Sequence, residues 1–299
     1  KTLLQHRDLD LPELGYVINY GDFQARLHEL LIEKSVEFRE NTSVEKFNLK
    51  GNKVEIALNE NNRHYSVESR LAVVASGNTR LFENMNVSYR KKNYNQTAFL
   101  AVVESDQNHN YSAFERFTKC GAIALLPYGK AFALVWIDKP EQTTRRLQAK
   151  DDKLLRELQN FFGFKAGNFT SIKKINSIEL SLIYASQVAK SRTIVVGNSA
   201  QTLHPIAAQG LNLGLRDVLA LVELSKVTQN GRLGNDAFLQ QYKKARSKDR
   251  LFGISFTNAL SLFFSRNLEP LAAKGGLGLL ALDMFPPARK LLMRKMIFG

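Results

Sequence analysis

The chain has 299 residues, 44% of them hydrophobic, and a formal net charge of +14. Length and composition exclude a disordered or fibrous protein and allow one large domain or two modest ones. A single cysteine, Cys120, excludes an internal disulfide framework, no apolar run reaches the length of a membrane span, and no residue spacing marks a metal site.

In chain order, Tyr20–Glu33 reads as a helix, with Asp22 as candidate cap and Phe23, Leu27, Leu30 and Leu31 on one face. Arg26 lies off that stripe. Val36–Arg39, Ser43–Leu49 and Lys53–Leu58 read as strands, the last two joined by a tight turn at Lys50-Gly51-Asn52. Tyr65–Glu68 is another strand, and Leu71–Ala75 is a buried run ending at Ser76-Gly77. From Asn95 the spacing becomes that of a meander. Thr97–Glu104, Tyr111–Thr118, Ala122–Pro127 and Ala131–Ile137 are predicted strands, several carrying aromatics. Asp151–Phe162 follows as an amphipathic helix and Ile172–Leu182 as returning extended chain.

Thr193–Val196 is a β-branched run suited to a buried strand, and it breaks at Gly197. Pro205 then introduces Ala207, Ala208 and Gly210. Leu211, Leu215, Val218, Leu219 and Val222 recur at helical spacing, which predicts a helix from near Gly210 that buries this face. Strand, small-residue turn and helix N-terminus aim several backbone N–H groups at one point. Such a point suits a phosphate, or a ring that becomes anionic during a reaction. His204 in the loop reads as a structural turn histidine. Beyond it, Phe238–Leu251 is a basic helix, Phe252–Phe264 and Leu277–Met284 are apolar, and Pro286-Pro287 interrupts before a last helix, Ala288–Phe298. That ending mixes Phe, Leu and Met with Arg and Lys, a pattern shared by core helices and interfacial ones.

Gly197-Asn198, His204-Pro205, Gln209-Gly210-Leu211-Asn212 and Arg216-Asp217 together resemble the second flavin motif of the aromatic-ring hydroxylases, which share the fold of para-hydroxybenzoate hydroxylase. Arg26-Leu27-His28-Glu29-Leu30-Leu31 looks like that family's helix beside the cofactor. Phe114-Glu115-Arg116-Phe117, Leu125-Leu126-Pro127 and Phe285–Leu292 are similar to the bacterial polyprenyl-methoxyphenol hydroxylases of ubiquinone biosynthesis. The resemblance implies a mixed α/β, FAD/NAD(P)-binding fold with an inserted antiparallel substrate sheet and C-terminal helices. Its segments would be 1–94 and 191–234 for the flavin domain, 95–190 for the substrate sheet and 235–299 for the helical end. It also implies an FAD-dependent monooxygenase that hydroxylates a polyprenylated phenol using NAD(P)H and dioxygen. Arg26, Gly197, Asn198, Pro205, Gln209, Gly210, Leu211 and Asn212 would contact the cofactor.

The chain departs from that family in three places. Ser76-Gly77 stands where Asp-Gly is usual, and Gly197-Asn198 where Gly-Asp is usual. A GxGxxG opening a β-α-β unit is absent, and the nearest spacing, Gly276, Gly278 and Ala281, follows no predicted strand. The sequence therefore looks like the enzyme without roughly the first third of its flavin domain, and the expectation is that this stretch alone is inactive. A non-catalytic lipid-binding or assembly subunit of the quinone pathway is the alternative. The basic charge fits an anionic membrane surface, and no nucleic-acid motif accompanies it. A cytoplasmic protein docked peripherally at the inner membrane is expected, with a pathway assembly or a second copy as further partners.

Overall fold

A computed structural model describes residues 2–77, 87–118, 120–265 and 284–298. Its contacts form two units. One comprises Lys1–Gln24, Asn93–Leu180 and Ala259–Gly299, the other Ala25–Lys92 and Ser181–Asn258.

The second unit contains two small sheets. In the first, β1 (Thr42–Lys50), β2 (Lys53–Glu60) and β3 (Arg63–Ser69) pair antiparallel in sequence order. Lys50 faces Lys53, so Gly51-Asn52 is a two-residue loop, and the positive φ of Gly51 gives it the twist a hairpin needs. Glu60 faces Arg63 across Asn61-Asn62, where both central residues have positive φ. The other sheet has the order β10 (Ala189–Lys190), β11 (Thr193–Val195), β4 (Ala72–Val74), with β11 parallel to β4. Val54, Ile194, Val195, Phe238 and Tyr242 form a common core between these elements. Helix α4 (Gln209–Val227) follows β11.

The first unit is built on an antiparallel sheet in the order β9 (Phe169–Ala185), β5 (Tyr89–Ser105), β8 (Ala131–Asp138), β7 (Ala122–Tyr128), β6 (Phe114–Phe117). Strands β5 and β9 continue into the second unit, where the end of β9 pairs with β12 (Gln201–Thr202). Helix α2 spans Pro140–Gln148 and α3 spans Asp151–Phe162. Leu154, Leu158 and Phe162 of α3 pack on Phe99, Phe132, Leu134 and Trp136 of the sheet. Each such side chain contributes roughly 1.5–3 kcal/mol when fully buried. Arg146 of α2 lies 3.8 Å over the Trp136 ring and reaches both Asp138 and Glu157 at 2.9 Å, clamping the two helices to the end of β8.

Several expectations change. Helix α1 is Tyr20–Glu33 as predicted, but its cap is Asn19, whose Oδ1 accepts from the Gly21 N–H at 2.8 Å. Asp22 sits inside the first turn instead. Val36–Arg39 is irregular chain rather than a strand, and the hairpin begins only at Thr42. Helix α2 escaped the sequence reading because its buried positions are Thr143 and Arg146, which carry no apolar period. The basic and apolar stretches after Asp236 are one helix, α5 (Asp236–Ser265). The expected interruption falls at Phe285, between a helical Met284 and the last helix, α6 (Pro286–Phe298), which the two prolines start, since proline's missing N–H costs nothing in a first turn. Gly276, Gly278 and Ala281, and most of Leu277–Met284, lie outside the described residues.

Candidate flavin-facing site

The parallel register of β4 and β11 sets Thr193 against Ala72 and Val195 against Val74, so both strands end at one edge of the sheet. In open α/β sheets ligands bind beyond that edge. Two loops leave it together. The Gly77 N–H donates to Ser199 Oγ at 2.8 Å, and the Tyr89 hydroxyl donates to the Ser199 carbonyl at 2.9 Å. Ser199 is fully buried and stitches the loops together, a role its sequence position did not signal.

Gly197 has a φ of +57°, a conformation glycine adopts without steric cost. Asn198 follows with an exposed side chain that has no partner among the described residues. Pro205 opens a short turn, Pro205–Ala207, and is exposed. Helix α4 begins at Gln209 with no side-chain cap and no acidic residue in its first turn. Its first N–H groups therefore lack both an intrahelical acceptor and a local carboxylate. Gln209 is buried, and its Oε1 accepts from Arg216 at 3.4 Å. A Cβ built on Gly210 would meet nothing within 4 Å. Leu211 and Asn212 are exposed beside it, the Asn212 amide reaching the Ala208 carbonyl at 3.4 Å. The loop and helix start thus bring together seven of the eight expected contact residues. Arg26 is not joined to them by any hydrogen bond or ion pair among the described residues. It lies on the exposed side of α1, bonded to Glu29 at 2.9 Å and Glu33 at 3.0 Å.

The face of α4 that was expected to be buried is exposed: Leu211, Leu215, Val218, Leu219 and Val222 are all 43–59% accessible. Gln209, Leu213 and Asp217 are buried in their place. The reason is polar. Asp217 Oδ2 accepts from the Gly197 N–H at 3.1 Å and from Gln201 Nε2 at 2.8 Å, while Oδ1 accepts from Arg246 Nε of α5 at 2.7 Å. Arg250 Nε donates to Gln201 Oε1 at 2.8 Å. Asp249 completes the cluster, 2.8 Å from Arg246 and 3.0 Å from Arg216, without hydrogen-bond alignment at its oxygens. Burial works against the charge on Arg246, but its hydrogen bond to Asp217 and the negative charge of Asp249 beside it hold its pKa above the ordinary value. Gly214 allows the close approach, since a Cβ there would lie 3.2 Å from the Gly197 Cα. Gly214, Gln201, Arg246 and Arg250 were not recognised from sequence, because nothing in a linear pattern marks a contact partner some 30 residues away.

His204 is the turn histidine expected: 1% exposed, its Nδ1 accepts from the Ile206 N–H at 3.3 Å. Among the described residues no cluster of His, Cys, Asp and Glu could hold a metal ion, and no helix is long and apolar enough to cross a membrane.

A family model described as FAD binding domain matches residues 7–249. The ubiquinone hydroxylase UbiL of Rhodospirillum rubrum is 33% identical over 235 residues, covering 77% of this chain and 54% of that protein. The 3-demethoxyubiquinol 3-hydroxylase of Escherichia coli is 27% identical over 293 residues, covering 92% and 71%. The chain thus spans between about half and seven tenths of the length of these relatives. Among solved structures, p-nitrophenol 4-monooxygenase PnpA from Pseudomonas putida superposes with a TM-score of 0.71 at 15% identity, covering 94% of this chain and 73% of that one. HpxO of Klebsiella pneumoniae, complexed with FAD and uric acid, gives 0.69 at 14% identity, again covering 94% and 73%. The fold implied by the sequence resemblance is the fold found.

Proposed function

Because the chain belongs to the FAD binding domain family, we propose that it supplies the ring-facing part of a flavin site and the substrate sheet of a monooxygenase. The reaction is hydroxylation of a polyprenylated phenol in ubiquinone biosynthesis, with NAD(P)H as electron donor and dioxygen as co-substrate. The observation that carries this reading is the strand-end site itself: two stitched loops, an exposed Asn198, an open Gly210 and an uncapped helix start. The kinship to UbiL and to 3-demethoxyubiquinol 3-hydroxylase supports the substrate class.

The residues present fit the ring end of FAD. Gly197, Asn198, Pro205 and Gln209–Asn212 would hold it, and the space at Gly210 admits a close approach of backbone and ring. Bound FAD would supply the redox chemistry and the oxygen activation. The chain's own part is binding and electrostatics. The first N–H groups of α4, which have no intrahelical acceptor, offer stabilisation to negative charge placed before them, in a setting fixed in advance by the packed loop. On the sheet face opposite α3 the half-buried Leu100 and Val135 flank the buried Ala98 and Ile137, an apolar setting suited to an aromatic ring bearing a hydrocarbon tail. The pyrophosphate end is another matter, because these 299 residues contain no GxGxxG between a strand and a helix.

At its natural length the protein should purify yellow and consume NAD(P)H and dioxygen with a prenylated phenol, adding one oxygen to the ring. The 299-residue chain alone should be colourless and gain no thermal stability from added FAD. A natural-length protein that neither binds flavin nor turns over would favour the lipid-binding or assembly reading, to which the neutral Ser76 also points. Docking on anionic lipid through the basic C-terminal end belongs to the same proposal, since the substrate's tail confines it to a membrane.

A further inference from the structure

We propose that Asp217 is a positioning residue for the loop that faces the flavin: its carboxylate fixes the Gly197 N–H, and Arg246 from the following helix fixes the carboxylate. The inference rests on reading 197–212 as that loop.

Glycine tolerates a left-handed φ but does not enforce it, so something outside Gly197 must select this conformation. Asp217 does so by gripping both ends of the turn with one oxygen, the Gly197 N–H at 3.1 Å and the Gln201 amide at 2.8 Å. Asn198, exposed and without a side-chain partner among the described residues, lies between those two fixed points. Asp217 belongs to the same helix whose first turn borders the site, so a single rigid element sets the position of both the loop and the uncapped N–H groups. Gly214 lets helix and loop meet at the distance these bonds require. Arg246 supplies the countercharge at 2.7 Å, with Asp217 1% exposed and Arg246 5%.

Stability alone does not account for this arrangement. A buried ion pair is often matched or exceeded in stability by apolar groups of similar volume. This one also leaves Arg246 Nη2 and Asp249 Oδ1 buried without hydrogen bonds. What the pair does, and an apolar pair could not, is hold a backbone N–H at a set place beside the candidate cofactor surface.

The test uses the protein at its natural length and two variants. Asp217→Leu removes the acceptor. The paired variant Asp217→Asn with Arg246→Gln replaces the ion pair by two amides that can bond each other, while an oxygen still faces Gly197. Hydrogen exchange at Gly197 and FAD affinity are measured for each, against exchange in the rest of the unit. In Asp217→Leu, Gly197 exchange should accelerate about tenfold beyond the change elsewhere, and FAD affinity should fall about tenfold. The paired variant should return both to within about threefold of the parent. Changes in Asp217→Leu no larger than the global loss of stability would overturn the proposal. So would a paired variant that folds with fast Gly197 exchange, or one that fails to fold, since the charges themselves would then be what matters. Should Asp217→Leu fail to fold, the paired variant decides alone. A parent protein that binds no FAD defeats the cofactor reading, while the exchange result still judges the loop.

Discussion

His204 is buried at the entry to the turn before α4, and burial lowers its pKa from 6.5 to about 4. Its Nδ1 accepts a backbone N–H, so the folded protein keeps the ring neutral with its proton on Nε2. The unfolded chain takes up a proton at higher pH than the folded one does. Stability from this site is therefore complete above pH 6.5 and is lost as pH falls towards 4. The loss should reach at most about 3 kcal/mol, read as a falling Tm across that window. His204→Asn, which can still cap the turn, should flatten that part of the profile. Gly210 makes a different prediction. The protein places nothing within 4 Å of a Cβ there, and valine and glycine differ by only about 0.5 kcal/mol in a helix. Gly210→Val in the natural-length protein should therefore keep its Tm and lose its flavin. If flavin absorbance stays intact, Gly210 is only a helix-start residue.

At the scale of elements, α4 shows how a polar anchor overrides an apolar stripe. Asp217 has three partners arranged for it inside the fold, and a buried carboxylate so satisfied can turn a helix about its axis. Leucines at 211, 215 and 219 then face outward despite their helical spacing. The two faces differ measurably. Leu213→Ala, at a position with no exposure, should cost about 2–5 kcal/mol in denaturant unfolding. Leu219→Gln should change stability by no more than about 0.5 kcal/mol. Equal costs at the two sites would mean that α4 is turned differently about its axis. In α5, Arg246, Asp249 and Arg250 explain why a basic stretch continues into an apolar one without a break. Those charges point into the cluster under the loop rather than into solvent.

For the molecule as a whole, the charge of +14 favours encounter with anionic surfaces. The C-terminal helix narrows which residues could meet one. Met293 is buried and Arg289 bonds Asp8 at 3.2 Å, so neither is available to lipid. Met284, Phe285, Leu291 and Phe298 are exposed, together with Lys290 and Arg294. That set combines apolar anchors with cations, each worth roughly 1 kcal/mol near anionic lipid. Liposome flotation should show binding that requires anionic lipid, weakens with salt and drops when the chain is cut before Met284. If the shortened chain floats equally well, the helix is ordinary core or an oligomer contact.

The sequence by itself determined the elements whose signal is local. The meander strands, α3 and the start of α4 follow from apolar period and turn residues, and the loop motif 197–212 was readable because its order and spacing are particular. Tertiary structure alone decided which face of α4 is buried, that Thr143 and Arg146 can support a helix, and that Ser199, Gln201, Asp217 and Arg246 hold the loop in place. Arg26 illustrates the same limit, since only the fold shows that its charge is taken up by Glu29 and Glu33. Periodicity reports how apolar a position is. Whether a charged or polar side chain is buried depends on partners that arrive from elsewhere in the chain, and those partners exist only once it has folded.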